Sequence, residues 1–162
     1  MGGYVMKLDF DCVRDILLYV EENSGYQDND SDMPSKHKEI PHARIISDSF
    51  FSKYNKEDAV HTLELMIKEG LFNFASKPIY DSNNNLAYAR IIGLTWSGHE
   101  LLDNIRNDTT WNAVKEKTKK VGKVSIKAMA SAASALATAM LTDPNAIQNF
   151  MNGAQNFIGS IH

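Results

Sequence analysis

The stretch from Tyr54 to Trp111 constrains this chain most, because it sets a helix, two apolar strands and a second helix in immediate succession. Asn55 is a good N-cap, with Asp58 at the N3 position of an imperfect capping box. Val60, Leu63 and Ile67, with Ala59 and Met66, recur at helical spacing and predict a buried face. Gly70 supplies the left-handed stop, after which Leu71 can fold back on Met66. Two apolar runs, Leu71–Tyr80 and Leu86–Leu94, predict strands joined by Asp81-Ser82-Asn83-Asn84-Asn85, whose tip from Ser82 on is uncharged and expected to be flexible. Leu94-Thr95-Trp96-Ser97-Gly98-His99-Glu100 then turns into the second helix. Thr95 and Ser97 both qualify as its cap, and Leu101, Leu102 and Ile105 point inward. This order matches the back half of a winged helix-turn-helix domain and sets the expected class as α+β.

Upstream, Asp9 or Asp11 can start a helix whose apolar face is Phe10, Val13, Ile16 or Leu17, and Val20. Cys12 aligns with that face and reads as a small buried hydrophobe, since Asp9, Asp11 and Asp15 would disfavour a thiolate. The segment 26–41 reads as a flexible, acidic, exposed loop. Its Asp28-Asn29-Asp30-Ser31-Asp32 run lacks the central glycine of a calcium loop, having Met33 there. His37 and His42 fit no zinc spacing. Arg44-Ile45-Ile46-Ser47 is expected to form the short first strand, followed by a helical turn at Ser49-Phe50-Phe51-Ser52.

Charge divides the chain into three zones. Met1 to Ile105 holds 10 basic and 17 acidic residues, a balance of -7; Arg106 to Lys127 holds 7 basic and 2 acidic, a balance of +5. From Ala128 to His162 only Asp143 is charged. The single cysteine excludes an internal disulfide and suggests a reducing, cytoplasmic setting. Residues 1–6 lack the charged and apolar regions of a cleavable signal, and Met6-Lys7 reads as the start of the domain. With no run of about 20 strongly apolar residues, a membrane span is not expected.

The basic zone forms a helix capped by Asp108 or Thr109, with Trp111, Val114, Thr118 and Val121 on one side. Lys115, Lys117, Lys119, Lys120 and Lys123 could contact phosphate, joined by Lys77 and Arg90 beside the hairpin. The central helix argues the other way: its solvent face carries Glu57, His61, Glu64 and Lys68, whereas base readout favours Arg, Lys, Asn and Gln. Beyond it, Ile126, Met129, Ala133, Leu136 and Met140 step as a short heptad seam. Asp143-Pro144 restarts a last helix bearing Phe150 and Phe157. The expected division is therefore a winged-helix-like domain over 1–124 and a helical oligomerisation tail over 125–162.

Several segments together resemble a family of short bacterial and prophage proteins, domain of unknown function number 2513. They are Met6-Lys7-Leu8-Asp9, Val60-His61-Thr62-Leu63, Ile67-Lys68-Glu69-Gly70-Leu71, Leu94–Arg106 and Trp111–Lys117. The resemblance covers Met6 to Ser125 and implies a winged-helix-like domain in a mobile-element setting. No catalytic or metal-binding constellation and no cofactor or small-molecule substrate is expected. The expected function is that of a non-enzymatic DNA-associated or regulatory protein that self-associates. The alternatives are a protein-interaction adaptor without DNA binding, and a membrane-acting effector using its uncharged tail. The last is disfavoured because the tail lacks a Lys/Arg-rich polar face.

Overall fold

Helices and a small antiparallel sheet make up the chain, an α+β arrangement. The computed structural model describes residues 3, 5–28, 35–121 and 125–159, with residues 121 and 154–159 described by backbone alone. Two compact units result, Met1–His99 and Glu100–His162. The expected division at 124/125 thus falls inside the second unit, because the lysine helix packs with the two helices that follow it.

In the first unit, helix α1 (Phe10–Asn23) starts where the Asp9 carboxylate accepts the Cys12 N–H at 3.0 Å. Phe10, Val13 and Val20 are buried as expected, and Ile16 and Leu17 are both buried where the spacing required only one of them. α1 packs on helix α3 (Lys56–Lys68) and strand β5 (Arg90–Leu94). Two hydrogen bonds fix the entry of α1 against α3: the Lys7 N–H donates to Asp58 at 2.7 Å, and the Asp9 N–H to the buried Thr62 hydroxyl at 3.2 Å.

Strand β1 is only Ile40–Pro41, and helix α2 (His42–Ser47) occupies the segment expected as a strand. As a strand, Ile45 and Ile46 would face opposite sides and need two buried surfaces. The helix buries Ile45 alone. His42 closes the ladder: its N–H donates to the Ala89 carbonyl at 3.0 Å and its Nδ1 accepts the Ala89 N–H at 3.1 Å. Asp48 ends α2 and caps the 3-10 turn Ser49–Lys53 by accepting the Phe50 N–H.

The Asn55 side chain caps α3 through the Asp58 N–H at 3.1 Å. Ala59, Thr62, Leu63, Met66 and Ile67 are buried, but Val60 is 37% exposed, contrary to its expected place on the core face. The face centres on Leu63 and Met66, and Val60 falls on its edge. The helix ends as anticipated. Gly70 has φ 74°, its N–H donates to Ile67, and the Leu71 N–H reaches back to Met66 at 3.3 Å.

Strand β2 (Phe72–Phe74) pairs with β5, and β5 with β1, giving the antiparallel order β1-β5-β2. Strands β3 (Ile79–Tyr80) and β4 (Leu86–Tyr88) form a separate two-stranded hairpin. Both long expected strands are therefore interrupted. Pro78 lacks a ladder donor, and Ala89 bonds to His42 rather than to the hairpin. At the tip, the Asp81 carboxylate accepts the Asn85 N–H and side-chain amide and, more weakly, the Asn83 N–H, and these bonds hold its pKa below the usual carboxylate value. The base of the acidic loop is paired: Tyr26 and His37 form a bridge and stack at 4.5 Å between ring centroids. The loop expected to run exposed is thus tied at its base.

Helix α4 (Trp96–Ile105) begins one residue after Thr95. Thr95 is the cap rather than Ser97: its hydroxyl accepts the Gly98 N–H at 3.1 Å and donates to the Gly70 carbonyl at 2.7 Å.

In the second unit, helices α5 (Asp108–Val121), α6 (Ile126–Met140) and α7 (Ala146–Gly159) pack on one another. Trp111, Val114 and Thr118 of α5 are buried, as are Ile126, Met129, Ala133 and Leu136 of α6. The Ser125 side chain caps α6 through the Ala128 N–H. The Asp143 carboxylate accepts the Asn145 N–H and the Asn149 side-chain amide, as expected of a cap, while α7 itself begins at Ala146, two residues beyond the expected Pro144.

Candidate functional site

A groove of about 530 Å³ opens in the first unit between α2 and α3. Its walls are mainly apolar: Ala43 and Ile46 from α2, Val60 and Leu63 from α3, and Leu86 from β4. Along α3 the lining residues Lys56, Val60 and Glu64 are spaced by four, so they form one row on the helix surface. The row reads cationic, apolar, anionic over about 12 Å, eight residues at about 1.5 Å each. Glu64 is half-buried and its carboxylate accepts the Leu86 N–H at 3.1 Å, which fixes the first residue of β4 to the groove. His42 is another lining residue. Its Nδ1 is taken by Ala89, so the neutral ring carries its proton on Nε2.

The residues expected to contact phosphate are unequally available. The Lys117 ammonium lies 3.7 Å from the Phe150 ring centroid and Lys115 lies 5.4 Å from that of Trp111, both half-buried. Lys119 and Lys120 are exposed on α5, and Lys77 is exposed beside the hairpin. Arg90 is paired with Glu39 at 2.7 Å. Lys123 lies outside the described residues.

The expected oligomerisation seam is used within the chain. Ile126, Met129, Ala133 and Leu136 are buried among α5, α6 and α7, so they offer no free surface while that unit stays folded. Met140 is exposed, its sulfur accepting the Thr110 hydroxyl at 3.9 Å. Phe150 is half-buried under Lys117, and the side chain of Phe157 lies outside the described residues.

Other reactive groups are structural. Cys12 is fully buried, and burial, then the Asp9 and Asp15 carboxylates, push its thiol up to about 12. Asp15 accepts the Tyr54 hydroxyl and pairs with Lys53 at 2.7 Å. Burial, then that hydrogen bond, raises the Tyr54 phenol well above its ordinary value. Among the described residues no group of three or more His, Cys, Asp or Glu is arranged to hold a metal ion. Nor is any helix there long and apolar enough to cross a membrane.

The groove is not legible in the sequence, where helical spacing places Val60 on the core face and Ile46 falls in an expected strand. Its trace there is the row Lys56, Val60, Glu64.

These features define an α+β protein whose candidate site is a helix-lined apolar groove with a charge at each end of one wall. The chain belongs to the family described as "Hypothetical protein (DUF2513)", which matches residues 7–125. An uncharacterized protein of Haemophilus influenzae is 33% identical over 111 residues, covering 68% of this chain and 76% of that relative. No solved structure matches.

Proposed function

We propose that this chain is a non-enzymatic, winged-helix-like adaptor of a mobile genetic element, acting in the cytoplasm, that binds another protein through the α2–α3 groove. The winged reading is supported by the order α1, β1, α2, α3, β2, β5, by the sheet order β1-β5-β2, and by the β3–β4 hairpin in the wing position. In that scheme α3 is the helix that would read bases. The observation that carries the adaptor reading is what α3 presents there: Val60 and the apolar groove, with Glu64 in its wall and Glu57 exposed on the same helix. Bases are read with Arg, Lys, Asn and Gln, and carboxylates next to phosphates are repelled. Apolar grooves between helices suit an inserted amphipathic segment.

A DNA-associated function is the second reading, favoured by the exposed Lys119 and Lys120 on the basic helix. One pair of measurements separates the two. The full chain is used to select short displayed peptides, with counter-selection on Val60→Asp, and is also tested for retention of mixed-sequence duplex DNA at rising salt. The adaptor reading expects Val60-dependent peptides and little DNA retention. DNA retention that falls steeply with salt and is lost in Lys119→Gln/Lys120→Gln, with no Val60-dependent peptide, would overturn it in favour of the second.

A further inference from the structure

We infer that the occupant of the α2–α3 groove is a two-turn amphipathic helix of a partner protein, with an acidic side chain at one end of its apolar face and a basic one at the other; this rests on the adaptor reading. The groove lies between two helices, so its walls are ridges of side chains, and a third helix seats between such ridges. The row on α3 sets the length. Lys56 and Glu64 stand two turns apart with Val60 midway, matching two apolar residues one turn apart on the partner. The two ends differ in sign. A partner carboxylate is attracted at Lys56 and a partner ammonium or guanidinium at Glu64, which fixes the direction in which the helix lies. Glu64 holds that position firmly because its carboxylate is already bonded to the Leu86 N–H. A second copy of this chain is a poor occupant. Its α7 has apolar residues at helical spacing, but it carries no Lys or Arg to meet Glu64.

The test reads the peptides recovered by selection on the full chain. The expected sequences carry two large apolar residues one turn apart, flanked by an acidic residue on one side and Lys or Arg on the other. A representative peptide should lose about tenfold in affinity with Lys56→Glu, and weaken with Glu64→Gln, which removes the charge yet keeps an acceptor for Leu86. Circular dichroism of each variant should match that of the wild type. Val60-dependent peptides with no charge preference, unaffected by either variant, would overturn the inference and leave the adaptor reading standing. Failure to recover any Val60-dependent peptide would sink both. Tighter binding by a synthetic peptide of residues 144–159 than by any recovered charged peptide would assign the groove to a second copy and overturn the inference.

Discussion

Adjacent side chains on α3 have opposite fates. Leu63 is 1% exposed and Val60 is 37% exposed, although both belong to the same apolar set in the sequence. Leu63→Ala should therefore cost about 2–5 kcal/mol by deleting buried methyl groups and leaving a cavity. Val60→Ala should stay within about 1 kcal/mol. Urea denaturation midpoints decide this, and equal losses would mean that Val60 is core after all. Cys12 makes a second residue-scale prediction. Its folded-state thiol is pushed up to about 12 from an ordinary 9.0, so between those values the native state holds a proton that the unfolded chain has lost. The contribution is fully present below about pH 9 and declines as pH rises toward 12, with a slope of at most about 1.4 kcal/mol per pH unit. Wild-type stability should thus fall more steeply above about pH 9 than that of Cys12→Ala. Parallel curves would show that the thiol sits in a less hostile site.

At the scale of elements, the junction between α3 and α4 explains why Thr95 and Gly98 stand where they do. Thr95 bonds Gly70 and Gly98 at once, and the Thr95 N–H donates to the Leu71 carbonyl at 3.0 Å. A Cβ on Gly98 would lie 2.3 Å from that same Leu71 carbonyl oxygen and 3.2 Å from the Leu94 Cβ. Helix propensity alone says Gly98→Ala should stabilise α4 by about 1 kcal/mol. The contact is with backbone that other hydrogen bonds hold in place, so the expected result is a loss of about 1–3 kcal/mol. A higher melting temperature in Gly98→Ala would show that the junction can open without cost. The motif Leu94–Glu100 was legible as a helix start, but the steric role of its glycine was not, since Leu71 is far away in sequence.

Across the whole molecule, the second unit supplies its own partner for the α6 seam. Leu136 is fully buried there, and a charge at its position would be left without a partner. Leu136→Asp should melt α5–α7 rather than release folded monomers from an assembly. Trp111, 1% exposed in the second unit, can report this once the 85% exposed Trp96 is replaced. In a Trp96→Phe background, Leu136→Asp should shift Trp111 emission to the red and reduce helical circular dichroism. Amide exchange at Ile91 and Phe72 should stay slow, because the first unit has its own buried set. A smaller particle by light scattering with unchanged Trp111 emission would return the seam to an interface between copies.

Local chemistry was readable before any fold was known. The Asn55 and Ser125 caps, the Gly70 stop, the apolar face of α1 and the burial of Cys12 each depend on hydrogen bonds or periodicity within a few residues. Tertiary structure alone decided the rest. His42–Ser47 is helical because the ladder to β5 closes at His42 and only Ile45 finds a buried place. Val60 became groove wall because α2 and Leu86 stand opposite it. The heptad of α6 found its partners in α5 and α7 because a periodic apolar stripe specifies that it must be covered, while the identity of the cover depends on contacts distant in sequence.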